Sequence, residues 1–137
     1  MKVYKTKAIK LTGTDFHEVN KKASNVYDLI KKQTKRRPYV RSTYFKKDKV
    51  FIGLFWQHLF DKKNWRDRVR RLKYFPAAIE LIRHTCFEPK SKENPNKKTE
   101  ILHRFSGLTS DNDLFYVQIK EDKQTGQKLF MSVYPDE

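Results

Sequence analysis

The chain has 137 residues, of which 37% are hydrophobic and 14% aromatic, so it is long enough to form one globular domain with a sizeable core. Charged residues make up 34% and the formal net charge is +15, yet apolar residues recur along the whole length, which excludes a disordered polycation. The single cysteine, Cys86, excludes an internal disulfide and a multi-cysteine zinc site. No apolar run has the length of a secretory leader or a membrane span, which predicts a cytoplasmic protein.

The basic charge is concentrated in the first two thirds of the chain. Residues 1–50 hold 15 Lys and Arg against 4 acidic residues, residues 51–99 hold 12 against 5, and residues 100–137 hold 4 against 7. A basic excess of this size predicts a polyanionic partner, and RNA is the first choice. An acidic inhibitor protein is a second predicted partner, and no membrane partner is expected. A solvated basic surface without a specific partner is the alternative.

The first half of the chain predicts strands at both ends of a long helix. Residues 1–10 alternate weakly, as a short strand or an arm would. Apolar residues at helical spacing predict a helix over residues 15–34, which Pro38 terminates. Residues 39–45 then predict a strand. Residues 50–60 are the most apolar stretch and predict a strand that passes into a helix.

Two shorter helices and a basic loop are predicted next. Asn64 suits the N-cap of the first helix, and Pro76 suits the first turn of the second. Residues 88–99 contain two prolines, two asparagines and no large apolar side chain, which predicts a flexible basic loop. Basic side chains of this region that we predict to bind nucleic acid are Arg68, Arg71, Lys73, Lys97 and Lys98.

Residues 100–135 predict an antiparallel meander of three strands joined by tight turns. In the second strand Phe115, Val117 and Ile119 share one face, because the side-chain period of a strand is two. Helices followed by a strand meander predict an α+β fold, with N-terminal helices packed on one face of a C-terminal antiparallel sheet of about four strands. The helices would cover the apolar face of this sheet and leave its polar face open.

The alternation of the third strand predicts which of its side chains reach the open face. It places Leu129, Met131 and Val133 on one face and Phe130, Ser132 and Tyr134 on the other.

In the first strand His103 and Arg104 point to opposite faces, and the pattern does not decide which of them lies beside Lys120. If the apolar neighbours of His103 face inward, Arg104 is the open-face residue and His103 is a satisfied core histidine. A bulge near Ser106 could also change the register.

These strands carry the groups that RNA cleavage requires. The 2′-hydroxyl can attack the adjacent phosphorus without a metal ion if the protein supplies a base, an acid and cations for the developing charge. The candidate catalytic residues are His103, Arg104, Lys120, Ser132 and Tyr134. His and Tyr would move protons, Lys and Arg would stabilise the charge, and Ser would orient the phosphate. No metal-binding motif is evident, and no cofactor is predicted.

The succession RxRRLxYFPxAIELI, an EP-containing loop, HRFSGLT, LFYVQIKED and FMSVYP resembles the barnase–EndoU–colicin–RelE-like nucleases, especially those encoded by phages and other mobile elements. The resemblance covers residues 65–135. It implies helices packed on a C-terminal antiparallel sheet and a metal-independent endoribonuclease, often a toxin with a cognate inhibitor. By the family pattern, Lys120 is the basic residue of the middle strand and Ser132 the hydroxyl of the last, with Tyr134 just beyond. The charged residue of the first strand is His103 or Arg104.

We therefore predict one nuclease domain over residues 1–137, with a basic N-terminal extension (1–50), helices and a basic loop (51–99), and a strand meander (100–135). The predicted function is metal-independent endoribonuclease activity, as a toxin or a mobile-element nuclease. A non-catalytic nucleic-acid-binding or antitoxin-like module is one alternative, because it explains the net charge equally well.

A metal-dependent DNA nuclease is the other alternative. Asp111 or Asp113, followed by Gln118 and Lys120, is similar to the acidic residue and (Glu/Gln)-x-Lys of restriction-like nucleases. Magnesium prefers carboxylate oxygens, and here the second acidic position is a glutamine.

Overall fold

The computed structural model describes residues 2–61 and 64–136, and these contain four helices and seven strands. The helices are α1 Phe16–Gln33, α2 Gly53–Asp61, α3 Trp65–Leu72 and α4 Phe75–His84. The strands are β1 Tyr4–Lys5, β2 Tyr39–Ser42, β3 Asp48–Phe51, β4 Lys90–Asn94, β5 Lys97–Leu108, β6 Leu114–Asp122 and β7 Lys128–Pro135.

The strands form one curled, mixed sheet in the order β1-β5-β6-β7-β3-β2, with β4 paired to β5. The β5–β6–β7 meander is antiparallel as expected, but β1 pairs parallel to the end of β5 and β3 pairs parallel to the start of β7. The prediction of N-terminal helices on a four-stranded antiparallel sheet is therefore wrong, although a mixed α+β fold is consistent with the structure. Strand character was expected in residues 1–10, 39–45 and the start of 50–60, but not that β1, β2 and β3 would join the same sheet as the meander.

The prediction of a flexible basic loop over residues 88–99 is also wrong, because this segment contains β4 and the start of β5. These strands pair antiparallel, with Lys90 opposite Arg104. Four of the five residues of β4 are exposed, and the fifth, Asn94, is half-buried. An edge strand held by backbone hydrogen bonds needs no apolar face, so the sequence carries no alternating signal there.

The helices begin where their capping residues indicate. Asp15 accepts a hydrogen bond from the Glu18 backbone N–H at 2.9 Å, and Asn64 accepts one from the Arg66 N–H at 2.9 Å. Each bond satisfies a backbone donor that the helix leaves without a partner, which stabilises a helix by about 1 kcal/mol. Pro76 lies in the first turn of α4. These helix predictions are confirmed.

The core lies between the helices and one face of the sheet. Phe55 of α2 stacks on Phe130 of β7 with ring centroids 4.8 Å apart, and on Phe75 of α4 at 5.3 Å. Burying a side chain of this size stabilises the fold by about 1.5–3 kcal/mol. Phe115, Val117 and Ile119 of β6 are fully buried beneath the helices, as the alternation predicted.

The predicted facing of β7 is wrong for the residues that precede Ser132, because Phe130 lies in the core and Leu129 lies opposite Lys120 on the open face. Ile119 pairs with Phe130 but Gln118 pairs with Ser132, so Met131 is an extra residue in a β-bulge. The bulge turns Phe130 into the core together with Val133, both fully buried, and it leaves Ser132 on the open face. Simple alternation cannot foresee this, because an inserted residue reverses the parity of the strand.

The pairing of β7 determines how the helices reach the open face. In the described part of the chain, β3 pairs with β7 at the two positions Lys128 and Leu129. Beyond them, α2 and α3 pack beside the edge of β7 that contains Met131 and Ser132. Side chains of these helices can therefore extend around the edge of the sheet.

Candidate functional site

The open face of the meander brings polar side chains into register across three strands. Arg104 of β5 lies opposite Gln118 of β6, which lies opposite Ser132 of β7. In the neighbouring row Tyr116 lies opposite Tyr134, with ring centroids 5.5 Å apart. Directly opposed residues have Cβ atoms about 5 Å apart, so the three groups of the first row can act on one ligand.

The register places Arg104, and not His103, on this face. His103 points to the helix side, where the residue is 8% exposed and its ring lies against Phe45 at 5.1 Å between centroids. Its Nδ1 is 2.6 Å from Ser91 Oγ and its Nε2 is 2.7 Å from Glu121 Oε1. His103 is therefore the satisfied histidine that the sequence left as an alternative, and the structure does not bring it to Lys120 or Tyr134.

Two side chains from the helices complete the site. A cavity of about 290 Å³ beside the bulge is lined by His58, Arg71, Gln118, Met131, Ser132 and Tyr134. The Arg71 guanidinium carbon is 5.6 Å from the centroid of the Tyr134 ring. His58 was not among the predicted catalytic residues. No sequence signal separates it from a surface histidine, because its place depends on the packing of α2 against the edge of β7.

Arg71 is held in place from its own helix. Its Nε donates to Asp67 Oδ2 at 3.0 Å, and Arg70 Nη2 donates to the other carboxylate oxygen at 3.0 Å. Burial opposes the ionisation of Asp67, but the hydrogen bonds and charges of Arg70 and Arg71 outweigh it, so the pKa of Asp67 lies below its ordinary value. Asp67 therefore stays a carboxylate that fixes the guanidinium beside the residues that line the cavity.

A second cavity of about 410 Å³ adjoins the first. Its lining residues are Lys90, Ser91, Lys92, Leu102, Arg104, Gln118 and Tyr134, of which Gln118 and Tyr134 are shared with the first cavity. The Arg104 guanidinium carbon is 5.0 Å from the centroid of the Tyr116 ring. The two lysines of β4 were missed because the segment was read as a loop. Together the cavities form one groove, which we call the open-face groove.

Polar groups in the open-face groove are available to a ligand. Within residues 2–61 and 64–136, the Gln118 amide and the Ser132 hydroxyl have no side-chain hydrogen-bond partner. The Tyr134 hydroxyl likewise makes no such bond in the described part of the chain. These groups can donate to an anion that enters the groove without breaking an existing bond.

Lys120 lies on the open face but outside the residues that line the groove. Its Nζ is 3.5 Å from Glu100 Oε2. Burial opposes the ionisation of Glu100, but a hydrogen bond from Asn94 and the charges of Lys120 and Lys97 outweigh it, so the pKa of Glu100 lies below its ordinary value. Of the predicted catalytic residues, the structure brings together Arg104, Ser132 and Tyr134.

The predicted nucleic-acid-binding residues are spread over the surface. Arg71 lines the groove, whereas Arg68 donates to the Phe60 carbonyl at 2.9 Å. Lys97 pairs with a carboxylate oxygen of Glu100 at 3.6 Å, and Lys98 is exposed.

Lys73 lines a separate cavity of about 510 Å³ beside Trp65, at the end of β7. This cavity is larger than either part of the groove, but its lining residues include no histidine. The open-face groove differs from this cavity, because an imidazole, hydroxyls and guanidinium groups occur together there.

The geometry does not favour the magnesium hypothesis. Asp113 precedes β6 and pairs with Lys10 at 3.5 Å, while Lys120 lies near the other end of β6, roughly 20 Å away at the usual strand rise. Within the described residues, no three His, Cys, Asp or Glu side chains are grouped so that they could hold a metal ion.

In the part of the chain that the structure describes, no helix is both long and apolar enough to cross a lipid bilayer.

Neither a family model, nor a curated protein, nor a solved structure matches this chain.

Proposed function

We propose that this protein is an endoribonuclease that cleaves RNA in the open-face groove by attack of the 2′-hydroxyl, without a metal ion. One observation carries the proposal. His58, Arg71, Arg104, Ser132 and Tyr134 come from four different elements and line two adjoining cavities on one face of the sheet. An imidazole, a phenol, a hydroxyl and two guanidinium groups are a complete set for phosphoryl transfer.

The roles follow from the chemistry of each side chain. His58 accepts the proton of the 2′-hydroxyl, whose oxygen forms a bond to phosphorus. The bond from phosphorus to the 5′-oxygen breaks, and that oxygen takes a proton from the Tyr134 hydroxyl. The products are a 2′,3′-cyclic phosphate and a 5′-hydroxyl.

The remaining groups stabilise charge and orient the phosphate. The pentacoordinate intermediate concentrates negative charge on the non-bridging oxygens, which Arg71 and Arg104 would neutralise with bidentate hydrogen bonds. Gln118 and Ser132 would donate single hydrogen bonds. Strands hold these groups more rigidly than loops would, which favours catalysis by orientation.

The rim of the groove suits a polyanion. Lys90 and Lys92 lie on the exposed strand β4 beside Arg104, and the chain has a net charge of +15. A basic rim raises the local concentration of RNA and the rate of its association. An acidic inhibitor protein would be attracted to the same rim.

The test is cleavage of end-labelled RNA in excess EDTA. We expect cleavage by the wild-type protein, with 2′,3′-cyclic phosphate ends, and none at a position that carries a 2′-deoxyribose. His58→Gln should lower the rate at least 100-fold, which is typical for loss of a general base. His17→Gln removes an exposed histidine of α1 and should leave the rate unchanged.

Some results would contradict the proposal. Cleavage that stops in EDTA or that continues past a 2′-deoxyribose would exclude this mechanism. Binding of RNA without any cleavage would favour the non-catalytic nucleic-acid-binding module. A cellular assay is a second discriminator: expression of the wild type should arrest growth, whereas expression of His58→Gln should be tolerated.

A further inference from the structure

The β2–β3 hairpin at the edge of the sheet presents a second polar and aromatic surface. Val40 and Val50 are buried beneath the helices, so Tyr39 and Arg41 of β2, which alternate with Val40, point to the opposite side. In β3 Lys49 and Phe51 alternate with Val50 in the same way. The hairpin therefore presents aromatic and cationic side chains on the open face of the sheet.

These side chains are already organised in pairs. The Arg37 guanidinium carbon is 4.4 Å from the centroid of the Phe51 ring, and Lys49 Nζ is 4.7 Å from that of Tyr39. Arg41 lies 5.5 Å from the same Tyr39 ring, and the two rings meet edge to face at 6.1 Å. All three cations are exposed, and the two rings are partly exposed. We call these five residues the hairpin platform.

Strand pairing connects the hairpin platform to the open-face groove. Tyr39 lies opposite Phe51, Phe51 pairs with Leu129 of β7, and Leu129 lies opposite Lys120 of β6. Ser132 follows Leu129 by three residues, which is about 10 Å along a strand. The platform and the groove are therefore neighbouring parts of one sheet face.

We propose that the hairpin platform binds the single-stranded RNA that flanks the cleaved bond. This inference rests on the proposed function for its substrate. Bases stack on aromatic rings and on guanidinium planes, and the adjacent cations neutralise phosphates. A cavity of about 470 Å³ beside Arg41, Lys49 and Phe51 provides the space for a nucleotide.

The platform favours RNA over an acidic protein for a chemical reason. An acidic protein needs cations alone, whereas the hairpin places partly exposed rings beneath its cations. Flat rings at an exposed sheet edge suit bases, because every base has a face that can stack, whatever the sequence. We therefore expect binding with little sequence preference and with a strong dependence on salt.

Binding is measured with a fluorescent 2′-O-methyl oligonucleotide, which the proposed reaction cannot cleave. Arg37→Ala/Lys49→Ala should weaken binding about tenfold and reduce its salt dependence. The matched control, Lys5→Ala/Lys21→Ala, also removes two exposed positive charges, one at the opposite edge of the sheet and one on α1. It should change the affinity less than threefold. Equal losses in both variants would show diffuse charge attraction and overturn the inference.

A second variant separates stacking from charge. Tyr39→Leu/Phe51→Leu keeps apolar bulk and net charge but removes both rings. It should weaken binding of the oligonucleotide about tenfold and leave binding of inorganic polyphosphate unchanged. Unchanged oligonucleotide binding in this variant, or tighter binding of polyglutamate than of RNA by the wild type, would overturn the inference.

The two proposals fail in different ways. If the wild type binds the oligonucleotide through the platform but never cleaves RNA, the proposed function fails and the binding surface stands. If the wild type cleaves RNA and both platform variants bind and cleave normally, the platform fails and the nuclease stands.

Discussion

The two faces of the β5–β7 meander differ in whether their polar side chains have hydrogen-bond partners within the protein. On the helix side, His103 lies between Ser91 and Glu121 at 2.6 and 2.7 Å, and Glu121 is 3.8 Å from Lys128, which pairs with Asp48 at 3.0 Å. On the open face, within the described residues, Gln118 and Ser132 make no side-chain hydrogen bond. One face satisfies its polar groups internally, whereas the other leaves Gln118 and Ser132 for a ligand, although Tyr116 and Lys120 on that face pair with acidic residues.

The difference has an energetic origin. Leaving a buried polar group without a hydrogen-bond partner costs about 1–3 kcal/mol. The polar residues on the helix side are therefore compatible with the fold only because they bond to one another. On the open face water satisfies the same kinds of groups, so they need no protein partner. The short hydrogen bonds of His103 therefore stabilise the fold, and the solvated polar groups of the open face are the better candidates for catalysis.

The largest expected effect on activity comes from substituting Arg104, and the neighbouring residue His103, on the opposite face of the sheet, is its control. Arg104→Ala should lower the rate of RNA cleavage at least 100-fold, because one cation is lost from the developing negative charge, with little change in stability. His103→Ala should leave the rate per folded molecule near the wild-type value. It should lower the free energy of unfolding by about 1–3 kcal/mol, because Ser91 and Glu121 lose their partner.

Both variants are measured by single-turnover cleavage and by urea unfolding. Loss of activity in folded His103→Ala, with full activity in Arg104→Ala, would reverse our assignment of the faces.

The next effect tests how tightly the helix side is packed. A Cβ atom on Gly107 would lie 2.5 Å from Phe115 Cζ and 2.7 Å from Leu81 Cδ1. Gly107→Ala should therefore destabilise the protein by about 1–3 kcal/mol through overpacking, as measured by the midpoint of urea unfolding. Gly53→Ala is the matched control, because a Cβ atom there meets nothing within 4 Å. Equal stability of both variants would mean that the β5–α4 contact is loose.

The smallest effect concerns pH. The pKa of Glu100 in the folded state lies below its ordinary value of 4.5, so Glu100 stabilises the fold fully above that value. This contribution is lost as the pH falls through the folded-state pKa. Unfolding in urea between pH 7 and pH 3 should show a smaller acid-induced loss of stability in Glu100→Gln than in the wild type. Identical pH profiles of the variant and the wild type would show that Glu100 does not contribute to the loss of stability in acid.

Much of the secondary structure could be predicted from local sequence. The capping residues Asp15 and Asn64, and Pro76, mark helix starts because they act on backbone groups within a few residues. Alternation in β6 identifies its buried face for the same reason. The edge strand β4 could not be predicted, because its pairing with β5 leaves its side chains in solvent and imposes no pattern on them.

The candidate site was predicted only in part. Arg104, Ser132 and Tyr134 were selected because strand alternation brings residues of one parity to one face. His58 and Gln118 were not among the predicted catalytic residues, and Lys120 was selected although it pairs with Glu100 outside the groove. These differences depend on contacts between distant segments.

The sequence by itself determined the basic character of the chain, the helix boundaries and the strand meander, since these depend on composition and on neighbours within a few residues. Only the tertiary structure decided that His103 faces inward, that the Met131 bulge turns Phe130 into the core, and that His58 and Arg71 reach the open face. Each of these outcomes is set by the register of strand pairing or by helix packing at the edge of β7. Such pairings join residues far apart in the chain, so no local pattern encodes them.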